Sequence, residues 1–364
     1  MTNQATSPGL WALAWRRLRA DKVAMVSLAV VALFLAMLAL SWTGLIVADW
    51  EQEVGVNYAP PSFAGEAGGL VQKAPAAASA VPDNAFDPLA DDIKAIRAQG
   101  GQGAAAAPDM YGVTDPLAAE MAELRAGMPG AAAAQVAKRE TLPFGADKWG
   151  HDIIKKTIKG GETSIVVGLV AALLAVALGT LFGAVSGYYG GLVDDFFNWF
   201  YSIFTSIPSI LMILTVAAVL QQKGVLTIVL ILGLTGWTGP FRLIRAEYMK
   251  HKAREYVMAA DAIGASTWRK MFSHIFPNVS HVALVQLSIL VVGFIKAEVI
   301  LSFLGFGVPV GTVSWGSMLN EAQNELILGK WWQLTAAAIA MAVLVTAFSL
   351  FTDALRDALD PKLK

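Results

Sequence analysis

Six long apolar runs divide the sequence, and each is close to the length that a helix needs to cross a membrane. A bilayer core requires roughly 20 apolar residues in a helix. The run at 282–304 is interrupted by Lys296 and Glu298, and the fourth run reaches the length by continuing to about residue 244. The pattern predicts an all-α membrane protein with six transmembrane helices, at 23–47, 164–186, 196–220, 225–241, 282–304 and 331–352.

Basic residues indicate how these helices are oriented, because loops rich in Lys and Arg stay on the cytoplasmic side. With the N-terminus inside, the inner segments carry clusters of Lys and Arg at 16–22, 242–270 and 356–364, whereas the two short outer loops carry one lysine each. The inner loop 187–195 opposes the rule with two aspartates. We therefore expect both termini to be cytoplasmic.

Composition excludes several classes of function. The chain is 56% hydrophobic and 15% charged, and its net charge of −1 gives no reason to expect a nucleic-acid partner. It has no cysteine, which excludes disulfides and thiolate chemistry, and its four histidines show no HExxH spacing. Without a visible nucleophile–base pair or metal-ligand group, a membrane-bound enzyme is disfavoured and no metal site is expected.

Two features precede the second predicted helix. Residues 9–22 place Trp11 and Trp15 one helical turn apart, followed by arginines, which predicts an amphipathic helix at the membrane interface. The long loop 48–163 contains Ala-, Gly- and Pro-rich stretches, which predict flexibility. This loop is either a tolerated insertion without a function of its own or a surface that binds an extracytoplasmic partner.

The long loop also contains local helix signals. A weak repeat, Asp87–Ala98 and Asp115–Ala126, begins each copy with Asp-Pro, a typical helix start, so we predict two short amphipathic helices there. In 153–159, three isoleucines form one apolar stripe with lysines elsewhere. This pattern predicts a helix lying flat on the outer surface before the second membrane helix.

The elbow segment, residues 253–277, carries the most specific signal. Its first helix is expected at about 253–263, where Gly264 supplies a left-handed C-cap. Ser266 begins a second helix, which we expect Pro277 to stop.

One face of the first elbow helix is suited to a partner. Tyr256, Ala260 and Ile263 share a stripe, and the small Ala259 and Ala260 allow another chain to approach closely. Three charged residues flank that face and can set the register of docking: Arg254, Glu255 and Asp261. A short helix that enters a groove is an established mode of recognition.

The elbow segment resembles the EAA loop of ABC-importer permeases, specifically the dipeptide/oligopeptide type. The family pattern is Glu-Ala-Ala, three residues, Gly, nine residues, Ile-x-Leu-Pro. It maps onto Met258, Ala259, Ala260, Gly264, His274, Phe276 and Pro277. The leading Glu is replaced by Met258, although Glu255 lies one turn earlier.

Other motifs extend the resemblance to about 9–47 and 142–364. Family elements are matched by Pro-Phe-Gly-Ala-Asp-Lys-Trp-Gly-His-Asp at 143–152, Gly-Tyr-Tyr-Gly-Gly at 187–191, Leu-Ser-Phe-Leu-Gly at 301–305, Ser-Trp-Gly at 314–316 and the tail at 353–361. Thr and Arg of the first family element are Ala146 and His151 here.

The resemblance implies a type I ABC importer permease fold in the bacterial inner membrane, with a large periplasmic insertion after the first helix. Four regions follow: the interfacial helix and first membrane helix in 1–47, the insertion in 48–160, the permease domain in 161–353 and a cytoplasmic tail in 354–364. The implied partners are a second, homologous permease, one or two ABC ATPases, a periplasmic solute-binding protein and the lipid membrane.

The implied division of labour assigns hydrolysis to other chains. The sequence has no GxxxxGK[ST], so ATP and Mg²⁺ are expected on the partner subunits, no cofactor is expected on this chain, and no catalytic residue is assigned. The resemblance assigns ATPase coupling to Glu255, Tyr256, Met258, Ala259, Ala260, Asp261, Gly264, Ala265, Ser266 and Pro277.

Three further residues are candidates for the translocation path or gate. Pro208 lies within the third predicted helix, where it is expected to bend the chain. Lys296 and Glu298 are either path residues or a pair whose charges reach toward the interface. Short peptides are the favoured cargo, with nickel, opines and peptide antibiotics as alternatives. An ion-coupled secondary transporter is disfavoured because no inverted repeat is evident.

Overall fold

The computed structural model describes residues 10–64, 138–309 and 311–359. Within these ranges the chain is helical, and its extended segments form isolated β-bridges rather than strands. The predicted all-α class is therefore confirmed. The two helices expected at 87–98 and 115–126 lie outside the described residues.

Twelve α-helices and one π-helical turn form the described part of the chain. They are α1 (Leu10–Ala20), α2 (Lys22–Trp42), α3 (Ile153–Tyr189), α4 (Gly191–Thr205), α5 (Ser209–Leu220), α6 (Val225–Thr235), α7 (Thr238–Lys252), α8 (Glu255–Ala262), α9 (Thr267–Arg269), the π turn (Lys270–Ile275), α10 (Phe276–Phe303), α11 (Trp315–Ile327) and α12 (Trp332–Leu359).

Five of these helical stretches are long and apolar enough to cross a membrane. They are α2, α3, α6 with α7, α9 with the π turn and α10, and α12. The pair α4 and α5 makes a sixth crossing if the two are counted together. The helix predicted from the tryptophans and arginines near the N-terminus forms as α1, and its Ala14 and Leu18 pack against the end of α12.

The third predicted membrane helix is broken instead of continuous. α4 ends at Thr205, α5 begins at Ser209, and the two are bent by 82°. Pro208 is the N-cap of α5 with an extended ψ of 128°. Proline has no N–H to donate to the preceding turn and disfavours helical geometry in the residue before it. The bend expected at Pro208 is therefore a complete interruption.

α3 is the longest α-helix in the described part of the chain, with 37 residues. Its N-cap is Asp152, whose carboxylate accepts the backbone N–H of Ile154 at 2.8 Å. The prediction of a separate surface helix at 153–159 is therefore wrong, because that stretch is the first part of α3. Gly160 and Gly161 do not break the helix, since α11 packs over them; a Cβ on Gly161 would lie 2.8 Å from the Trp315 ring.

Three glycines bring α3 into backbone contact with α7. Gly179, Gly183 and Gly187 recur every four residues and so lie on one helix face. A Cβ added to them would lie 2.6, 2.8 and 2.5 Å from backbone oxygens of the facing helix, at Trp237, Phe241 and Arg245. Small residues at this spacing allow the close van der Waals packing that holds membrane helices together.

The end of the bundle opposite the elbow segment is closed by a cap, defined here as residues 50–64, residues 139–152 and α11. Isolated bridges join the first two parts, Glu53 to His151 and Pro61 to Leu142. The buried indole of Trp332 donates a hydrogen bond to the carbonyl of Ala146 at 2.6 Å. The cap is therefore fixed both to itself and to α12.

A buried ionic network lies beneath the cap. Lys156 of α3 donates to Asp147 at 2.7 Å and to Glu321 of α11 at 2.6 Å. Asp147 also accepts the backbone N–H of Trp149 and of His151. Burial opposes ionisation of Asp147, but the ammonium of Lys156 and these donors hold the pKa of that carboxyl below its usual value.

Glu325 is the unpaired member of this region. Its side chain is 2% exposed, and its carboxylate accepts no well-formed hydrogen bond from the residues that the structure describes, since the backbone N–H of Lys148 acts on it only weakly. Burial, together with the negative charges of Asp147 and Glu321, raises the pKa of Glu325 to about 7 against the attraction of Lys156.

The glycine contact between α3 and α7 gives a direct test of packing. Gly179→Ala places a methyl group 2.6 Å from the Trp237 carbonyl oxygen and should destabilise the protein by about 1–3 kcal/mol through overpacking. Gly293→Ala is the matched control, because a Cβ there meets nothing within 4 Å. Thermal unfolding of the purified protein in detergent should show a lower Tm for the first variant alone. Equal Tm values would contradict the close contact.

The unpaired Glu325 predicts a dependence of stability on pH. Its folded pKa of about 7 exceeds the ordinary 4.5, so the folded state holds this proton more tightly than the unfolded state. Stability therefore falls as pH rises from about 4.5 to about 7, by up to about 3 kcal/mol, and is then level. Glu325→Gln should remove this loss and give a higher Tm than the wild type at pH 8, but not at pH 5. Parallel Tm profiles for the two proteins between these pH values would refute the assignment.

Candidate functional site

The elbow segment begins with α8, which ends in a tight left-handed turn. Gly264 has φ +78°, as its predicted role in the C-cap requires. The backbone N–H of Ala265 donates to the Ala260 carbonyl at 3.0 Å, and that of Gly264 donates to Asp261 at 2.9 Å. These two bonds form a Schellman motif. The predicted left-handed cap is confirmed.

The second half of the elbow segment continues into the membrane helix. Ser266 is the N-cap of α9, and its hydroxyl accepts the N–H of Arg269 at 3.4 Å, as predicted. The expected stop at Pro277 is wrong, since α9, the π turn and α10 form one 37-residue stretch. The chain stays helical through a wider π turn, in which the N–H of Phe276 donates to the Met271 carbonyl. Pro277 follows in the first turn of α10, where proline is tolerated because it needs no N–H there.

The buried face of α8 differs from the predicted stripe. Val257 and Ala260 are each 4% exposed and pack into a cluster with Tyr248, Met271 and Ile275. Ala260 therefore faces its own bundle and is not available to a partner, which corrects the expectation for that residue. Ala259 remains exposed.

The opposite face of the elbow segment is apolar and open. Met258 is 55% exposed, Ile263 is 85% exposed and Trp268 is 61% exposed. Tyr256 is also partly exposed, and its hydroxyl lies 2.8 Å from Nδ1 of His251 on α7. Three large apolar side chains around one turn form a surface that a groove of another protein could cover.

Charges on the elbow segment serve partly to hold it together. Asp261 of α8 pairs with Lys270 of the π turn, whose ammonium lies 6.0 Å from the centre of the Tyr188 ring on α3. Glu255 is exposed in the first turn of α8, where a negative charge favours the helix dipole. Asp261 is thus engaged within the chain, while Glu255 is free to meet a partner.

Cluster packing makes the elbow segment a rigid link. Tyr248 of α7 is fully buried, and its hydroxyl donates to the Met271 carbonyl at 3.1 Å. α8 is thus fixed to α7 on one side and to the π turn on the other, and the π turn is continuous with α10. A force applied to the exposed face of α8 therefore acts on two membrane-crossing helices together.

The candidate path residues are not brought together. Lys296 is exposed, whereas Glu298 is fully buried two residues later on the other side of α10. The Glu298 carboxylate accepts bonds from Ser164 of α3 and Ser302, each at 2.6 Å. The alternative in which both charges reach toward the interface is therefore wrong for Glu298, and the role of Lys296 stays a prediction. Pro208 lies at the broken third crossing, apart from the elbow segment.

One pair of functional interest was missed by the sequence analysis. Arg245 of α7 makes a bidentate ion pair with Asp194 of α4, at 2.6 and 2.5 Å. This pairing neutralises one of the two aspartates that opposed the positive-inside rule. The sequence did carry a signal for this pair, because Arg245 and Asp194 have opposite charges and lie near the ends of neighbouring predicted helices. Within the described ranges, no group of three or more His, Asp or Glu residues is arranged to hold a metal.

Comparisons with known proteins agree on one family. The model for binding-protein-dependent transport system inner membrane components matches residues 179–364, more than half of the chain. A second model, the N-terminal TM domain of oligopeptide transport permease C, matches residues 9–61.

Curated relatives include three permease proteins. The dipeptide transport system permease protein DppC of Bacillus subtilis is 34% identical over 221 residues, or 61% of this chain and 69% of that protein. The oligopeptide transport system permease protein OppC of Bacillus subtilis is 37% identical over 221 residues, 61% of this chain and 72% of its own. OppC of Salmonella typhimurium is 38% identical over 219 residues, 60% of this chain and 72% of that protein.

These matches cover the elbow segment and the membrane helices that it joins, and the first membrane helix has its own match. The chain therefore belongs to the family of binding-protein-dependent transport system inner membrane components and is a multi-pass inner membrane protein.

Proposed function

We propose that this chain is a permease subunit of an ATP-driven importer of short peptides. A second, homologous permease completes the path, a periplasmic solute-binding protein delivers the cargo, and one or two ABC ATPases supply ATP hydrolysis with their own Mg²⁺. The peptide cargo is taken from the relatives, whose printed names are dipeptide and oligopeptide transport permeases. The observation that carries the proposal is the open apolar face of the rigid elbow segment.

The elbow segment has the properties of a docking element. Met258, Ile263 and Trp268 are large and exposed, and burying such side chains in a groove of an ATPase contributes about 1.5–3 kcal/mol each. Glu255 adds a charge that can set the register of docking. The opposite face, with Val257 and Ala260, is already buried in the bundle, so docking on α8 occurs from one side only.

Transport by alternating access needs a bundle with two arrangements, and differential binding of the partners selects between them. ATP-driven closure of the ATPases moves the elbow segment, and α7 and α10 follow as one body. α3 follows as well, because its glycines contact the α7 backbone. The break at Pro208 separates α4 from α5, so these two helices provide the flexible connection in the proposed movement.

In the proposed orientation, the elbow segment and both termini are cytoplasmic and the cap is periplasmic. The chain has no cysteine. Labelling of a single introduced cysteine therefore shows on which side of the membrane that residue lies, without background from other positions. Ile263 and Ile327 form a matched pair, because they are the same residue type, are 85% and 84% exposed, and lie in the elbow segment and in the cap.

We expect Ile263→Cys to react with a membrane-impermeant maleimide in inside-out vesicles but not in intact spheroplasts. Ile327→Cys should show the reverse. Added ATPase subunits should protect the cysteine at 263 and leave the one at 327 unaffected, because only the first lies under the docking surface. Labelling at 263 from the outside would refute the orientation, and labelling undiminished by the ATPases would refute the docking site.

Coupling should depend on the left-handed turn at Gly264. A side chain at this position meets nothing within 4 Å, so a substitution acts on the backbone alone. Gly264→Val places a β-branched residue at φ +78°, which costs about 1–2 kcal/mol and distorts the turn. Gly264→Asn is the control, because asparagine tolerates this conformation.

In vesicles holding the complete transporter, Gly264→Val should reduce uptake of a labelled dipeptide and the ATP hydrolysis that it stimulates several-fold. Gly264→Asn should stay near the wild type, and both variants should insert normally. Uptake at the wild-type rate by the valine variant would refute the proposed role of the turn in coupling.

A further inference from the structure

A cavity of about 800 Å³ lies between α7, α10 and the end of α12, beside the elbow segment. This volume is within the range of pockets that bind small molecules, roughly 300–1,000 Å³. Of its lining residues, only Arg254 has a role proposed above, as a charge beside the docking face. Its lining falls into a basic part and an apolar part, and the two parts together indicate the chemistry of an occupant.

The basic part surrounds one carboxylate. Lys250, Arg254 and Arg356 line the cavity together with His251 and His281, against Glu247. Glu247 is shared, since Lys250 lies 3.3 Å from it and His251 lies 3.6 Å from it. Neither Arg254 nor Arg356 has a carboxylate at ion-pair distance among the residues that the structure describes. The cavity therefore carries excess positive charge, which suits an anion.

The apolar part follows the membrane-crossing helices. Val282, Val285 and Ile289 occupy successive turns of α10, where Gln286 is also part of the lining, and Leu243 lines the cavity from α7. Leu243 and Ile289 are 45% and 43% exposed, whereas Val282 and Val285 are partly buried against the core, so the open part of the apolar wall lies at Leu243 and Ile289. A soluble anion would gain nothing from contact with an open apolar wall. A phospholipid, by contrast, has a phosphate that would match the basic part of the cavity and acyl chains that would match the apolar part.

We infer that the cavity binds an anionic phospholipid, with the phosphate against Lys250, Arg254 and Arg356 and an acyl chain along α10. Basic pockets between membrane helices on the cytoplasmic side are suited to acidic headgroups. The inference rests on the orientation in the proposed function, which places this end of the bundle in the cytoplasmic leaflet. There the excess of anionic lipid and the positive charge of the cavity reinforce each other.

The test is a titration of the complete transporter, purified in detergent, with dioleoylphosphatidylglycerol, followed by native mass spectrometry of the retained lipid. Lys250→Gln with Arg356→Gln should weaken retention about 30-fold, or about 2 kcal/mol, since each basic side chain near an anionic group contributes about 1 kcal/mol. Both residues are exposed and lie outside the docking surface, so the fold should be unaffected. An unchanged Tm verifies this.

A matched control separates the cavity from general surface charge. Arg19→Gln with Lys22→Gln removes the same charge from an exposed site near the N-terminus, on the same proposed side. Retention by this control should fall less than in the cavity variant, because the basic residues that it removes meet the membrane surface without a cavity around the phosphate. Ile289→Ser should weaken retention through the acyl-chain wall alone.

Three outcomes would overturn the inference. The first is equal loss in the cavity and control variants, which would mean that surface charge alone attracts the lipid. The second is equal retention of dioleoylphosphatidylcholine. The third is full displacement by inorganic phosphate, which would indicate a site for a free anion. The readout needs no transport, so it is independent of cargo and coupling, and cysteine labelling at 263 reports the orientation separately.

Discussion

Backbone contact between α3 and α7 is the constraint on which the rest of the structure depends. Lipid tails are as apolar as leucine, so helices in a membrane associate through close packing instead of the hydrophobic effect. Gly179, Gly183 and Gly187 allow that packing along the last part of α3, and the bidentate Arg245–Asp194 pair then ties α4 to α7. With α7 fixed in this way, the elbow segment has a firm support on the side from which it leaves the bundle.

The elbow segment converts this support into a mechanical link. Val257 and Ala260 pack into the cluster of Tyr248, Met271 and Ile275, so the short α8 cannot rotate without disturbing α7 and the π turn. A helix of eight residues has little stability of its own, because isolated helices of this length are marginal in water. Its order therefore comes from packing, and the same packing would transmit force. Gly264 allows the chain to reverse between α8 and α9 without strain.

Two prolines show how far the sequence could predict this structure. The apolar runs predicted the class and most crossings, and the residue types at Gly264 and Ser266 predicted the caps, because these signals are local. Pro208 and Pro277 both suggested an interruption, but only Pro208 causes one. The residues before Pro277 include the buried Met271 and Ile275, whose packing holds the chain helical through a π turn, whereas α4, before Pro208, buries no residue. Periodicity cannot report this tertiary difference, and for the same reason it misplaced Ala260.

The buried polar groups show that the two ends of the bundle are held by different forces. Beneath the cap, Lys156 joins α3 to Asp147 and Glu321, so the contacts there are directional and fixed in register. Glu298 repeats this pattern within the bundle by joining α3 to α10 through Ser164. At the elbow segment the contacts are mainly apolar, and in the ion pair of Asp261 with Lys270 the Asp261 side chain is 69% exposed. Movement driven from the elbow segment is therefore expected to carry α7 and α10 as one body and to leave the cap in place, because breaking a buried ion pair costs more than breaking an exposed one.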